Sequence, residues 1–253
     1  MSALMIVALG LLMVGTAFLS GLFGMAGGLI LIGVLLALMP LPSAMVLHAI
    51  TQMASNGWRA FLWRRHIRWR PVAIYLIGCA LALAAWSITR YVPDKPLALL
   101  LLGVTPFMAR LSPPGLKPDP DSIWQGTFYG FICMGLMLMT GVSGPLMDTF
   151  FLGGKFERRE IVASKAACQV ASHFVKLIYF GSIISQAATL DPVLAGVAVA
   201  ASMTGTTLAR RILEAMTDLQ FRTWAARLIT TVAGYYIIYG SWLLLARGNA
   251  LAF

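Results

Sequence analysis

Gly21-Leu22-Phe23-Gly24-Met25-Ala26-Gly27-Gly28-Leu29-Ile30 lies between two apolar runs, and Gly141-Val142-Ser143-Gly144-Pro145 lies between two more. Glycine admits positive φ and close backbone approach. Proline suits the first turn of a helix, where its missing N–H costs nothing. Each stretch therefore predicts a helix that stops inside an apolar layer and restarts at once. The restart exposes a fresh helix N-terminus, whose free N–H groups and dipole favour an anion.

The surrounding composition fixes the environment. The chain has 253 residues, 59% of them hydrophobic and 11% charged. Soluble domains average about 45–50% apolar and roughly 25% charged. A mean hydropathy of +0.83 excludes a soluble enzyme, a nucleic-acid module and a disordered chain. Outer-membrane strands are short and alternate in polarity, whereas these runs are long and continuous. The fold class is an all-α polytopic membrane protein. Ten segments are predicted: 3–22, 25–39, 44–63, 71–90, 97–110, 123–140, 145–154, 158–181, 190–209 and 222–245. The first has no basic residue ahead of it, so it reads as a retained helix and not a cleaved signal. The second and seventh are short, which fits half-helices or re-entrant arms.

Charge gives the orientation. The formal net charge is +10, which in a membrane protein reflects the positive-inside rule. With Arg64-Arg65-His66-Ile67-Arg68-Trp69-Arg70 on the cytoplasmic side, alternation puts twelve of the 19 Lys and Arg inside and three outside. The other four, Arg59, Lys165, Lys176 and Arg227, lie within segments. Both termini are then outside. Residues 112–122 are polar and Pro-rich, which disfavours helix, and read as a cytoplasmic linker. They divide the chain into repeats at 1–111 and 123–253.

Shifting the chain by 117 residues aligns the two glycine stretches and gives eight identities over 36 positions. Gln52 meets Gln169, Ser55 meets Ser172, and Arg59 meets Lys176. Five segments per copy is an odd number, so the second copy enters the membrane inverted. Inverted repeats with broken helices are a recurrent transporter architecture, with the site at the midplane.

Two polar stripes accompany the breaks. His48, Gln52, Ser55 and Arg59 share one helical face, and Lys165, Gln169, Ser172 and Lys176 repeat the spacing. Asn56 and His173 stand beside them. Lipid penalises such a stripe, so it faces protein or a water-filled cavity. Gly24, Gly27, Gly28, Gly141, Ser143 and Gly144 complete the predicted anion site, together with His48, Gln52, Ser55, Asn56 and Arg59 of the first stripe and Gln169, Ser172, His173 and Lys176 of the second. For Arg59 and Lys176 the competing reading is snorkelling, since both approach helix ends. Gln52 and Gln169 are too central and too short for that. Lys165 and Arg227 read as interfacial. Asp148 and His48 are the proton-coupling candidates: one is a carboxylate in an apolar segment, the other an imidazole. Cys79, Cys133 and Cys168 lie in apolar runs outside any CxxC pair and read as small core residues. There is no Walker A sequence, HExxH or carboxylate cluster, so no catalytic residue, metal or cofactor is predicted.

Three features resemble the TauE/SafE family, the sulfite and organosulfonate exporter or permease group of bacterial membranes. They are an N-terminal helix running into Gly21–Ile30, the continuation Leu41-Pro42-Ser43-Ala44, and the echo at Gly141–Pro145. The resemblance covers nearly the whole chain. It implies a multi-pass protein of the bacterial inner membrane and a sulfur-containing or carboxylate anion as cargo. The reading is a secondary transporter working by alternating access. Its partners are a small anion, the lipid bilayer and a coupling ion, proton or sodium, with no nucleic acid and no assigned oligomer. The rival readings are an anion channel and a non-transport subunit of a membrane complex.

Overall fold

Ten α-helices run through the computed structural model, which describes residues 2–23, 26–111, 118–152, 156–183 and 191–250. They are α1 (Ala3–Phe23), α2 (Ala26–Leu38), α3 (Leu41–Leu62), α4 (Trp69–Thr89), α5 (Lys95–Arg110), α6 (Ile123–Thr140), α7 (Gly144–Leu152), α8 (Arg158–Ile178), α9 (Pro192–Ala215) and α10 (Asp218–Ala250). Each falls on one predicted segment. Gly24, the linker core 112–117 and residues 153–155 lie outside the described residues.

Local chemistry sets the ends. Asp94 caps α5 by accepting from the Leu97 N–H at 3.0 Å. A capping box of Glu157 and Glu160 opens α8, each carboxylate satisfying an amide that the first turn leaves free. Helix α3 begins at Leu41, three residues before the prediction, because Pro42 fits its first turn. Helix α6 stops at Gly141, whose φ of 87° is open to glycine and strained for other residues.

Six helices, α1, α4, α6, α8, α9 and α10, are long and apolar enough to cross a membrane. Over the described residues α2 has 13 and α7 has 9, so these two extend only about 20 and 13 Å there. A hydrocarbon core is about 30 Å thick, so neither crosses it alone. Leu4, Leu11, Ile88, Trp124, Ile238, Trp242 and Leu245 are more than half exposed, an apolar exterior suited to lipid. Leu29, Ile32, Leu35, Met45, Leu47 and Phe150 are buried with the broken helices.

The packing obeys a regular exchange. Helix α1 packs on α9 and α6 on α4; α3 packs on α9 and α8 on α4; α2 touches α10 and α7 touches α5. Replacing each helix by the one five places along turns one member of each pair into the other. Helices α3 and α8 face each other, as do α5 and α10. Both facing pairs are antiparallel. Arg68, just past α3, donates its N–H to Ser164 near the start of α8 at 2.8 Å, while His48 early in α3 meets Lys176 late in α8. Gly103 lies against Ala233, and Gly240 against Leu100.

Small residues make the approaches close. A Cβ on Gly27 would run into the Thr16 carbonyl oxygen and lie 2.7 Å from the Ser20 amide nitrogen. The start of α2 therefore rests directly on the backbone of α1. A Cβ on Gly78 would strike the Thr127 carbonyl oxygen of α6, and one on Gly130 the Tyr75 carbonyl oxygen of α4. By contrast, nothing lies within 4 Å of a Cβ at Gly15 or Gly234. Gly27→Ala and Gly78→Ala are expected to cost about 1–3 kcal/mol by overpacking. Gly15→Ala and Gly234→Ala should be neutral or slightly stabilising, because alanine is the better helix former. Thermal unfolding in detergent separates the two pairs.

Candidate functional site

The two glycine breaks are joined by an unbroken hydrogen-bonded chain. His48 Nε2 lies 3.0 Å from the Gly28 carbonyl oxygen. His48 Nδ1 lies 2.7 Å from Lys176 Nζ. Lys176 Nζ donates at 3.0 Å to the Gly141 carbonyl oxygen. A carbonyl only accepts, so the imidazole carries its hydrogen on Nε2 and offers the Nδ1 lone pair to Lys176. Lys176 and His48 together thus span from the start of α2, through α3, to the end of α6.

Lys176 has no solvent exposure. Among the described residues no carboxylate lies within ion-pair distance of it. Its four-carbon stem reaches inward, so it does not snorkel. Helix α8 passes into a π-helical turn at Tyr179–Ile183 immediately after it, pinned where the Tyr179 hydroxyl donates to the Tyr91 carbonyl oxygen at 2.6 Å. Single π turns recur at functional sites.

Unsatisfied polar atoms gather around this chain. Gln52 is 6% exposed, and its side-chain nitrogen has no partner. Its amide sits over Gly28, with Oε1 3.3 Å from where a Cβ would stand. Ser143 is fully buried with its hydroxyl unpartnered, at the N-cap position of α7. His173 packs edge-on against His48 at 5.4 Å between ring centroids, and its Nδ1 is also unpartnered. A buried polar atom left unpaired costs about 1–3 kcal/mol, so three together need an account. Thr140 bridges the break, its Oγ1 accepting from the Val142 N–H at 3.2 Å.

The rest of the stripes divide by role. Gln52 and Gln169 occupy the twelfth position of α3 and α8 respectively, and Gln169 is 8% exposed. Ser55 bonds Thr206 of α9 at 2.7 Å, and Ser172 bonds the Tyr75 hydroxyl of α4 at 3.1 Å. These serines fasten α3 and α8 to matching neighbours. Asn56 donates to the Gln52 carbonyl oxygen of its own helix at 2.9 Å. Arg59 donates to the Ser20 carbonyl oxygen at 2.9 Å, so it closes the end of α1 as Lys176 closes the end of α6. Lys165 pairs with Asp148, and that carboxylate also acts on Arg59. This second group is less completely covered: the side chains of Lys165 and Asp148 are 13% and 31% exposed.

Several participants had no sequence signal. Tyr75, Thr206 and Ser20 sit in apolar segments with nothing to mark them as partners. Tyr236 of α10 donates at 2.6 Å to the Leu29 carbonyl oxygen, one residue past the first break, and its ring packs on Gly33. Cys79, Cys133 and Cys168 are buried free thiols.

An all-helical, multi-pass membrane protein with two broken helices meeting at a buried lysine has the build of a solute transporter. The chain belongs to the sulfite exporter TauE/SafE family, whose sequence model matches residues 7–236. Neither a curated protein nor a solved structure shows a significant match to it.

A lysine buried for fastening and one buried for a ligand differ in their effect on stability. Methionine fills a similar volume without charge, and replacing buried charge by apolar groups is often neutral or stabilising. Lys176→Met is expected to melt no lower than the wild type in anion-free detergent buffer. A fall of more than a few degrees would make Lys176 a structural fastener.

Proposed function

We propose that the protein is a secondary transporter for a small anion, a sulfite, a sulfonate or a related sulfur or carboxylate species. The observation that carries this is Lys176: a fully buried lysine with no carboxylate beside it among the described residues. In a low-dielectric interior a lysine gives up its proton unless it stands beside a counter-charge. A substrate anion supplies one. The ammonium, the Gln52 amide, the Ser143 hydroxyl and the amides at the start of α2 and α7 are all donors, as an oxyanion requires. Gln169 and His173 complete the lining from α8. The family's own description as a sulfite exporter supports the sulfur anion.

The halves 1–111 and 123–253 act as inverted repeats that rock about this site. The exchange of packed pairs five helices apart supports that relation, and so does the antiparallel run of α3 with α8 and α5 with α10. The Lys176–His48 cluster lies on one side of the Gln52–Gln169 level and the Arg59–Lys165–Asp148 cluster on the other. The first is fully buried and the second partly exposed, which fits a carrier closed on one face. The seat is a bacterial cytoplasmic membrane, with the Arg64–Arg70 loop inside.

The test is thermal unfolding of purified protein with sulfite, thiosulfate, sulfate, methanesulfonate, acetate and chloride at matched ionic strength, followed by counterflow in vesicles. An anion at about 100 times its dissociation constant adds roughly 2.7 kcal/mol. Selective stabilisation by sulfur oxyanions, with saturable counterflow, is the expected result. Gln52→Leu and Gln169→Leu should each weaken binding about tenfold or more, since hydrogen bonds to charged groups contribute about 1.5–3 kcal/mol. Unchanged affinity in both would remove the site from this place, and non-saturating flux without counterflow would indicate a channel.

A further inference from the structure

The same lysine constrains what else crosses with the anion. Lys176 touches a neutral imidazole and a backbone carbonyl, and neither cancels a full charge. The groups around it add no negative one. Helix α3 contributes His48, α8 contributes His173, and α2 contributes backbone alone. Tyr75 and Cys79 of α4, Cys133 of α6 and Cys168 of α8 are neutral as phenol and thiols, and they cluster away toward Ser172. Asp148 of α7 is already paired with Lys165.

We infer that Lys176 carries one proton for each anion, so that the moving site is electrically neutral both loaded and empty. The inference rests on the anion reading above. In the loaded site the ammonium faces a monovalent anion and the charges cancel. In the empty site an ammonium would cross the low-dielectric interior alone, at a penalty no neighbour offsets. The empty site returns instead with Lys176 as the amine. The proton moves along a contact already present. The Nζ–H bond aimed at His48 Nδ1 breaks, and the Nδ1 lone pair takes the proton. The imidazolium then yields it to water on the side to which the site has opened. His48 keeps its Nε2–H on the Gly28 carbonyl oxygen throughout, so the acceptor stays aimed at Lys176. His48 is the relay and Lys176 the carrier. Asp148 has no part in the exchange, because Lys165 holds its charge.

The consequence is electroneutral symport of a monovalent anion with one proton, and net transfer of one negative charge for a divalent anion. The wild-type protein is reconstituted in vesicles holding a pH-sensitive dye, with potassium and valinomycin setting the potential. Methanesulfonate, which stays ionised across the working range, is the probe, and sulfate is the divalent comparison. An inward methanesulfonate gradient is expected to acidify the lumen by about one proton per anion. Its initial rate should change less than about twofold between 0 and −100 mV. In Lys176→Arg, whose guanidinium does not give up its proton, the ratio of net uptake to counterflow should fall at least tenfold. Methanesulfonate entry without acidification, at a rate that rises steeply with inside-positive potential, would overturn the inference and leave the transporter reading intact. Loss of saturable counterflow for every anion would overturn the reading and this inference together. Should Lys176→Arg not fold, the wild-type proton count and voltage dependence decide alone.

Discussion

A lysine held away from water, with no carboxylate beside it among the described residues, is the constraint around which this protein is arranged. Lys176 is stabilised only by dipoles, those of the His48 imidazole and the Gly141 carbonyl. Dipoles fall short of a full counter-charge in an interior of low dielectric. The site is therefore incomplete as folded, and its incompleteness gives it a use. The amide nitrogen of Gln52, the hydroxyl of Ser143 and a ring nitrogen of His173 are buried without partners. A protein that only had to be stable would have filled this place with leucine.

The broken helices follow from that arrangement. Continuous helices would bury their backbone donors in their own hydrogen bonds and offer a ligand nothing but side chains. Stopping α6 at Gly141 and restarting at Gly144 exposes a carbonyl to Lys176 and leaves the first amides of α7 unpaired by the helix. Tyr236 and the packing of Gly27 on α1 hold the first break in place. The two basic clusters then take opposite stations. Arg59 closes the end of α1 and Lys176 the end of α6, one partly and one fully buried.

Much of this was legible in the chain. The ten helices appeared as ten apolar runs because lipid forces every spanning segment to satisfy its own backbone. The short α2 and α7 announced themselves through Gly24–Gly28 and Gly141–Pro145. Gln52, Gln169 and Lys176 stood out because polar residues are scarce where lipid penalises them. Sequence also left Lys176 open between a buried role and snorkelling, since position near a helix end permits both. Burial resolves it, and only a folded neighbourhood creates burial. Ser55, Ser172 and Asn56 carried the same stripe signal, yet their side chains are spent on Thr206, Tyr75 and a backbone carbonyl. A helical face is a local property, whereas a partner lies on another helix.

The sequence by itself determined the class, the number of helices, the places where two of them break and the polar face of α3 and α8. These are properties of periodicity and of transfer from water to lipid, which act residue by residue. The tertiary structure alone decided that His48 lies against Lys176, 128 positions away, that Asp148 is spent on Lys165, and that Tyr236 anchors the first break. Such pairings depend on which helices touch and in which direction they run. That is a matter of close packing among all ten, and no single segment contains it.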